Sequence, residues 1–187
     1  MASDETAMKF VLLYGPPAAG KLTVAQILAQ KTGLLLVHNH MIVDFVEPLF
    51  PRGTLGYLRL IRKVRLATLE ETAVSNYPGI IFTMVFAPSR QGIVDLYCDF
   101  VEELGGEACL VQITCDKAVM LERVADDSRR QWNKIHSPDH LLEMLATLED
   151  PFQLVAGRSS LIIDSGKTDP EMAATKIIQH YDLREVA

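Results

Sequence analysis

Short apolar runs alternate along the chain with longer stretches whose apolar residues recur at helical spacing. The runs read as buried strands: Phe10 to Tyr14, Leu34 to Val37, Ile80 to Phe86, Ala108 to Thr114 and Ser160 to Asp164. They are continuous rather than alternating, as expected of strands covered on both faces. Between them, helical spacing and end signals predict a helix over 21–31 stopped by Gly33, and a short one from Met41 to Leu49 broken by Pro48 and Pro51-Arg52-Gly53. Further helices are expected over 55–75, 91–104 and 138–148, the last opened by Ser137-Pro138. Asp116 is the expected cap of a helix through Leu121 and Val124, and Asp169-Pro170 opens the final one.

Strand–helix alternation implies an α/β fold of three layers: a five-stranded parallel sheet with right-handed crossovers and helices on both faces. Ligands of such sheets sit at the carboxyl ends of the strands. His38–His40, Ala87–Arg90 and Thr114–Asp116 should therefore border one crevice.

The stretch between the first strand and the first helix carries the chemistry. Gly15-Pro16-Pro17-Ala18-Ala19-Gly20-Lys21-Leu22-Thr23 is a phosphate-loop (Walker A) pattern in its proper strand–loop–helix context. Gly15 and Gly20 let the backbone wrap a phosphate tail, and the helix start adds unpaired N–H groups and a favourable dipole. Backbone donors from Ala18, Ala19, Gly20 and Leu22, with the Lys21 ammonium, make a nucleotide site. The residue after the lysine is ordinarily Ser or Thr, whose hydroxyl binds Mg²⁺. Here it is Leu22, with Thr23 following.

Inside the helix over 55–75, Leu58, Ile61, Leu69 and Ala73 define an apolar face. Arg65 falls about 20° from Leu58 and Arg62 about 40° on its other side, so both point inward while Arg59 and Lys63 point outward. An inward arginine needs an anionic partner. That partner is an acceptor's phosphate or carboxylate, or alternatively an internal ion pair with Asp44 or Glu47. Arg123, Arg129, Arg130 and Lys134 straddle a segment, about 126–137, that reads as a lid closing over the nucleotide; an exposed charge run is the alternative. His38, Asn39 and His40 stand at the crevice mouth with Asp44 one helical turn on. This reads as an acceptor site with Asp44 as general base, or as polar capping of a strand end. A metal site on His38, His40 and Asp44 is a weaker reading, and no metal ligand is assigned. Many phosphate-loop enzymes end the third strand in an Asp for Mg²⁺, whereas this run ends Phe86-Ala87-Pro88.

The loop with its Leu22-Thr23 ending resembles that of the adenylate kinases. In element order residues 8–182 resemble the adenylate, shikimate and gluconate kinase group of small phosphate-loop kinases. Leu36-Val37-His38-Asn39-His40-Met41 resembles a run in bacterial members of that group, which leaves the substrate open. The resemblance implies ATP as donor, Mg²⁺ held mainly through water, Thr23 on the α-phosphate, a lid after the fourth strand and an acceptor region over about 38–76. The expected activity is ATP-dependent phosphotransfer to a small hydroxylated or phosphorylated metabolite. Lys21, Asp44, Arg129 and Arg130 would be catalytic, Gly15 to Thr23 with Arg123 would hold nucleotide, and His38, His40, Arg62 and Arg65 would hold the acceptor. Leu22 and the missing third-strand acid keep open a nucleotide-binding regulator without transfer activity.

Composition narrows the classes. The 187 residues suit a single domain. A net charge of −6 argues against a nucleic-acid surface. Three cysteines without metal or disulfide spacing suit a reducing cytoplasm, and the polar opening Met1 to Thr6 lacks the order of a secretory signal. No membrane span is expected, and either a monomer or a homodimer is compatible with the chain. A guanine-reading Asn-Lys-x-Asp segment is absent from the sequence.

Overall fold

Five parallel strands, β1 (Lys9–Tyr14), β2 (Leu35–Val37), β3 (Gly79–Met84), β4 (Glu107–Thr114) and β5 (Ser160–Asp164), form one sheet in the order β2-β3-β1-β4-β5. The computed structural model describes residues 7–75, 77–125 and 137–186. Seven α-helices join the strands among these: α1 (Lys21–Thr32), α2 (Asn39–Val46), α3 (Leu55–Val74), α4 (Gln91–Glu103), α5 (Lys117–Val124), α6 (Pro138–Thr147) and α7 (Pro170–Tyr181). From β1 the chain steps out to β2, returns to β3, then crosses to β4 on the opposite side of β1. That reversal leaves a crevice at the carboxyl end of β1.

Strand periodicity divides the core. Phe10, Leu12 and Tyr14 face one way with Ile80, Phe82 and Met84, packing on Leu69 of α3 and on Val94, Tyr97 and Val101 of α4. Val11 and Leu13 face the other way with Ile81, Val111 and Ile113, under Leu28 of α1 and Ile177 of α7. Each such fully buried large side chain stabilises the fold by roughly 1.5–3 kcal/mol, so the sheet is the rigid platform on which the loops at its carboxyl edge stand. A small third cluster, Ile42, Val46 and Tyr57, joins α2 to the start of α3.

Element boundaries differ from expectation in instructive ways. Leu34 enters the core before the β2 ladder begins. The apolar run after Ile80 outlasts β3: Phe86 and Ala87 are buried beyond the last paired residue, Met84. Asp116 does occupy the position before α5, but its side chain accepts no capping hydrogen bond. Ser137 caps α6 by accepting from His140 N–H, and Asp169 caps α7 by accepting from Glu171 and Met172. Among the described residues no helix is long and apolar enough to cross a membrane.

Candidate active site

The loop after β1 is tightly wound. Gly15 has φ 136°, Ala18 φ 61° and Gly20 φ 85°. A Cβ on Gly15 would lie 2.1 Å from the Ile113 carbonyl oxygen, so only glycine lets the loop leave β1 along β4. Ala18 holds a left-handed conformation that costs an ordinary residue about 1–3 kcal/mol, strain of the kind stored at ligand clamps. Gly20 ends the loop at the N-terminus of α1, where no side chain caps the helix. Its first N–H groups are thus available to an anion. Lys21 folds back across the loop, its Nζ donating to the carbonyls of Gly15 (3.0 Å) and Pro16 (2.5 Å). Thr23 is exposed on the first turn, and Leu22 is half-buried.

Arg123 of α5 meets this loop from the β5 side. Its Nη1 donates to Ser165 Oγ (2.9 Å) and its Nη2 to Ser165 O (2.7 Å), and a Cβ on Gly20 would lie 3.4 Å from Nη1. Ser165 Oγ in turn lies 2.7 Å from Ala19 O, with Thr114 O at 3.1 Å. A hydroxyl has one proton to give, so it donates to one carbonyl at a time while accepting from Arg123. Arg123, Ser165 and the loop backbone are therefore one connected unit.

On the other side of β1 a cavity of about 670 Å³ opens at the carboxyl ends of β2 and β3. Tyr14, the residue before the loop, is in register with Met84 on the cavity wall. Arg52, Arg59, Arg62, Arg65 and Arg90 all line it. Arg65 is buried; its Nη2 donates to Asn39 Oδ1 (2.7 Å) and its guanidinium lies 5.8 Å from the centre of the Tyr97 ring. Asn39 is itself fixed by its N–H, which donates to Thr83 Oγ1 of β3 (3.2 Å). Arg90 donates to Val85 O (2.7 Å). Burial, and then the like charge of Arg65, hold its pKa below the ordinary arginine range. Arg52 makes a bidentate pair with Glu47. Among the described residues no carboxylate pairs with Arg59, Arg62, Arg65 or Arg90, and the alternative of an internal ion pair of Arg62 or Arg65 with Asp44 or Glu47 is not formed.

Several expected residues meet here and others do not. Arg65 and Arg62 both line the cavity, but only Arg65 is buried and Arg62 is exposed. Arg59, expected to point outward, lines it too, and Leu58, expected on the core face, is 54% exposed on its wall. The first half of α3 stands over the cavity rather than over the sheet; Tyr57, Arg65, Leu69 and Thr72 are its buried residues. Asp44 is exposed on α2, and neither it nor His38 or His40 is part of the lining. His38 is buried, with its ring 6.3 Å from that of His40. Arg129, Arg130, Lys134 and almost all of the expected lid fall outside the described residues. Tyr97 was not singled out, while Asn39 and Arg90 were expected at the crevice within His38–His40 and Ala87–Arg90 but given no acceptor-binding role of their own.

Mg²⁺ has few direct donors at this site among the described residues. Leu22 offers no oxygen, β3 and the residues to Ala87 contain no acid, and among the described residues no three His, Cys, Asp or Glu converge as a metal site. Among the described residues no protein-held Mg²⁺ site is assembled. The nucleotide loop, by contrast, fits a phosphate by conformation, charge and dipole together.

The wound loop, the five-stranded order and the crevice define the fold of the small phosphate-loop kinases. No family profile and no curated protein matches the chain. Solved structures do. A sugar kinase from Janibacter superposes with a TM-score of 0.62 at 18% identity, over 94% of this chain and 95% of that one. Shikimate kinase from Acinetobacter baumannii, solved with shikimate, gives 0.55 at 20% identity over 94% of each chain. The APS kinase of Mycobacterium tuberculosis, solved with AMPPNP and APS, gives 0.62 at 11% identity, over 94% of this chain and 98% of that one.

Proposed function

We propose that this protein is an ATP-dependent kinase of a small-molecule acceptor. The observation that carries the proposal is the pairing of a tightly wound phosphate loop with an arginine-lined cavity one strand away. Gly15, Ala18, Ala19, Gly20 and Leu22 would present backbone, Lys21 would swing from the Gly15 and Pro16 carbonyls onto the phosphates, and Thr23 and Arg123 would flank them. The acceptor would lie against Arg62, Arg65 and Arg90. In the transfer, the bond between the γ-phosphorus and its bridging oxygen breaks, an acceptor oxygen takes the phosphoryl group, and that oxygen's proton leaves. Among the described residues no carboxylate lines the cavity, so the proton would pass to solvent, which a loose transition state with little need of a base tolerates. The arginines' share is orientation and charge stabilisation. When bound, Mg²⁺ would neutralise phosphate charge, ligated by phosphate and water.

Calorimetry with ATP, with and without Mg²⁺, on wild type and Lys21→Ala, tests the loop. Micromolar binding lost in the variant is expected; ADP release against a panel of acceptors then tests transfer. No binding to the wild type would sink the reading. A nucleotide-binding regulator of the same fold is the second reading, favoured by Leu22 and by the acid-free end of β3. It predicts ATP binding with no acceptor turned over.

A further inference from the structure

The cavity says more about its occupant than that it is small. Four guanidiniums, those of Arg59, Arg62, Arg65 and Arg90, share one space without a carboxylate partner among the described residues. Glu47 is paired with Arg52, Glu149 accepts from the Ser89 backbone N–H on the cavity rim (3.0 Å), and Asp44, whose charge reaches Arg52, is exposed on α2 outside the lining. Like charges so placed repel, and they do so more strongly where the walls exclude water. The low pKa direction of Arg90 has that origin in part. A single carboxylate would neutralise one of these cations. A phosphoryl dianion offers three oxygens, enough to accept from two or three arginines at once.

The remaining walls are apolar. Met84 and Ile93 close one side, Leu58 and Ile61 another, and the Tyr97 ring lies under Arg65. The charged and apolar walls face one volume of about 670 Å³, room for a drug-sized molecule. A bare inorganic anion would leave this apolar surface wet.

The geometry points to a phosphate monoester with an apolar or aromatic body as the class of acceptor this cavity takes. The assignment rests on the kinase reading for the word acceptor; the cavity's preference for such an anion stands on its own residues. Phenyl phosphate is the probe, at about pH 8, where a phosphate monoester is a dianion. Inorganic phosphate tests the need for the apolar body, and benzoate tests the need for the second charge. Calorimetry should show a phenyl phosphate site that persists in Lys21→Ala, which separates it from any binding at the phosphate loop, and the probes are compared in that variant. Binding should weaken by roughly tenfold or more in Arg62→Gln and in Arg90→Gln. Arg62 is solvent-exposed, so its variant should fold normally. Inorganic phosphate and benzoate should each bind at least roughly tenfold more weakly than phenyl phosphate.

Benzoate or inorganic phosphate binding as tightly as phenyl phosphate would overturn the assignment. So would indifference to both arginine variants, loss of binding in Lys21→Ala, or no binding at all. ATP binding without phenyl phosphate binding would remove this inference and leave the kinase reading standing. Phenyl phosphate binding without ATP binding would do the reverse, leaving the cavity an anion site but not an acceptor site.

Discussion

Arg65 Nη2 donates to Asn39 Oδ1 at 2.7 Å, a buried cation resting on a neutral amide. Its other polar neighbour, the Tyr97 hydroxyl at 3.5 Å, is neutral as well. Burying a charge without a counter-charge is costly, so Arg65 contributes little to the stability of the ligand-free protein. Arg65→Met is expected to unfold in urea within about 1 kcal/mol of wild type, relief of desolvation offsetting the lost hydrogen bonds. Binding of phenyl phosphate should fall roughly tenfold or more in the same variant. A loss of several kcal/mol with unchanged binding would make Arg65 a structural residue instead.

Gly15 and Gly20 carry different constraints despite sharing a motif. At Gly15 both the φ of 136° and the Ile113 carbonyl 2.1 Å from a built Cβ oppose a side chain. At Gly20 the φ of 85° is unfavourable, but the nearest atom is the Arg123 guanidinium at 3.4 Å, which can move. Gly15→Ala should therefore cost at least about 3 kcal/mol in urea unfolding, and Gly20→Ala about 1–2 kcal/mol. Equal effects would mean that the contact of Gly15 with β4 is not rigid.

The strands and the phosphate loop were legible because their signals are local. A continuous apolar run is one strand, and Gly15 to Thr23 is one loop and the first turn of the helix it opens. The cavity was only half legible because it is assembled from α2, α3, the β3 end and α4, and its emptiness has no sequence signature. Helical periodicity identified Arg65 correctly as inward, yet it put Leu58 on the core face and Arg59 on the outer one, and both line the cavity. The role of Ser165 was not legible, since it lies in distances to Ala19 and Arg123, each about forty or more positions away in the chain.

Ser165 holds the loop and Arg123 together, so its removal should affect both. Ser165→Ala leaves Arg123 one fewer acceptor and the Ala19 carbonyl without its donor. We expect a loss of about 1–2 kcal/mol in stability and weaker ATP binding, with phenyl phosphate binding unchanged. Ser165→Thr, which keeps the hydroxyl, should restore ATP binding in part. ATP binding indifferent to both variants would show that the loop holds its shape alone.

Alkaline pH should destabilise the fold through its buried thiols. Burial raises Cys98 and Cys109 to about 12 from an ordinary value of 9.0. Between those two values the unfolded chain has lost the thiol protons and the folded one still holds them. The unfolded state therefore binds fewer protons, and stability falls as pH rises. The contribution of these groups is fully present below about pH 9 and is lost on rising through the folded value near 12. The slope is up to about 1.4 kcal/mol per pH unit for each thiol. Tyr181, raised to about 12 by burial, starts from 10.0 and adds to the fall above that value. Urea unfolding at intervals from pH 7 to about pH 11 should thus show a plateau and then a decline. Cys98→Ala combined with Cys109→Ala lowers the plateau by leaving small voids, but it should make the decline shallower between about pH 9 and pH 10. An unchanged slope in that window would assign the alkaline transition to groups other than the two thiols.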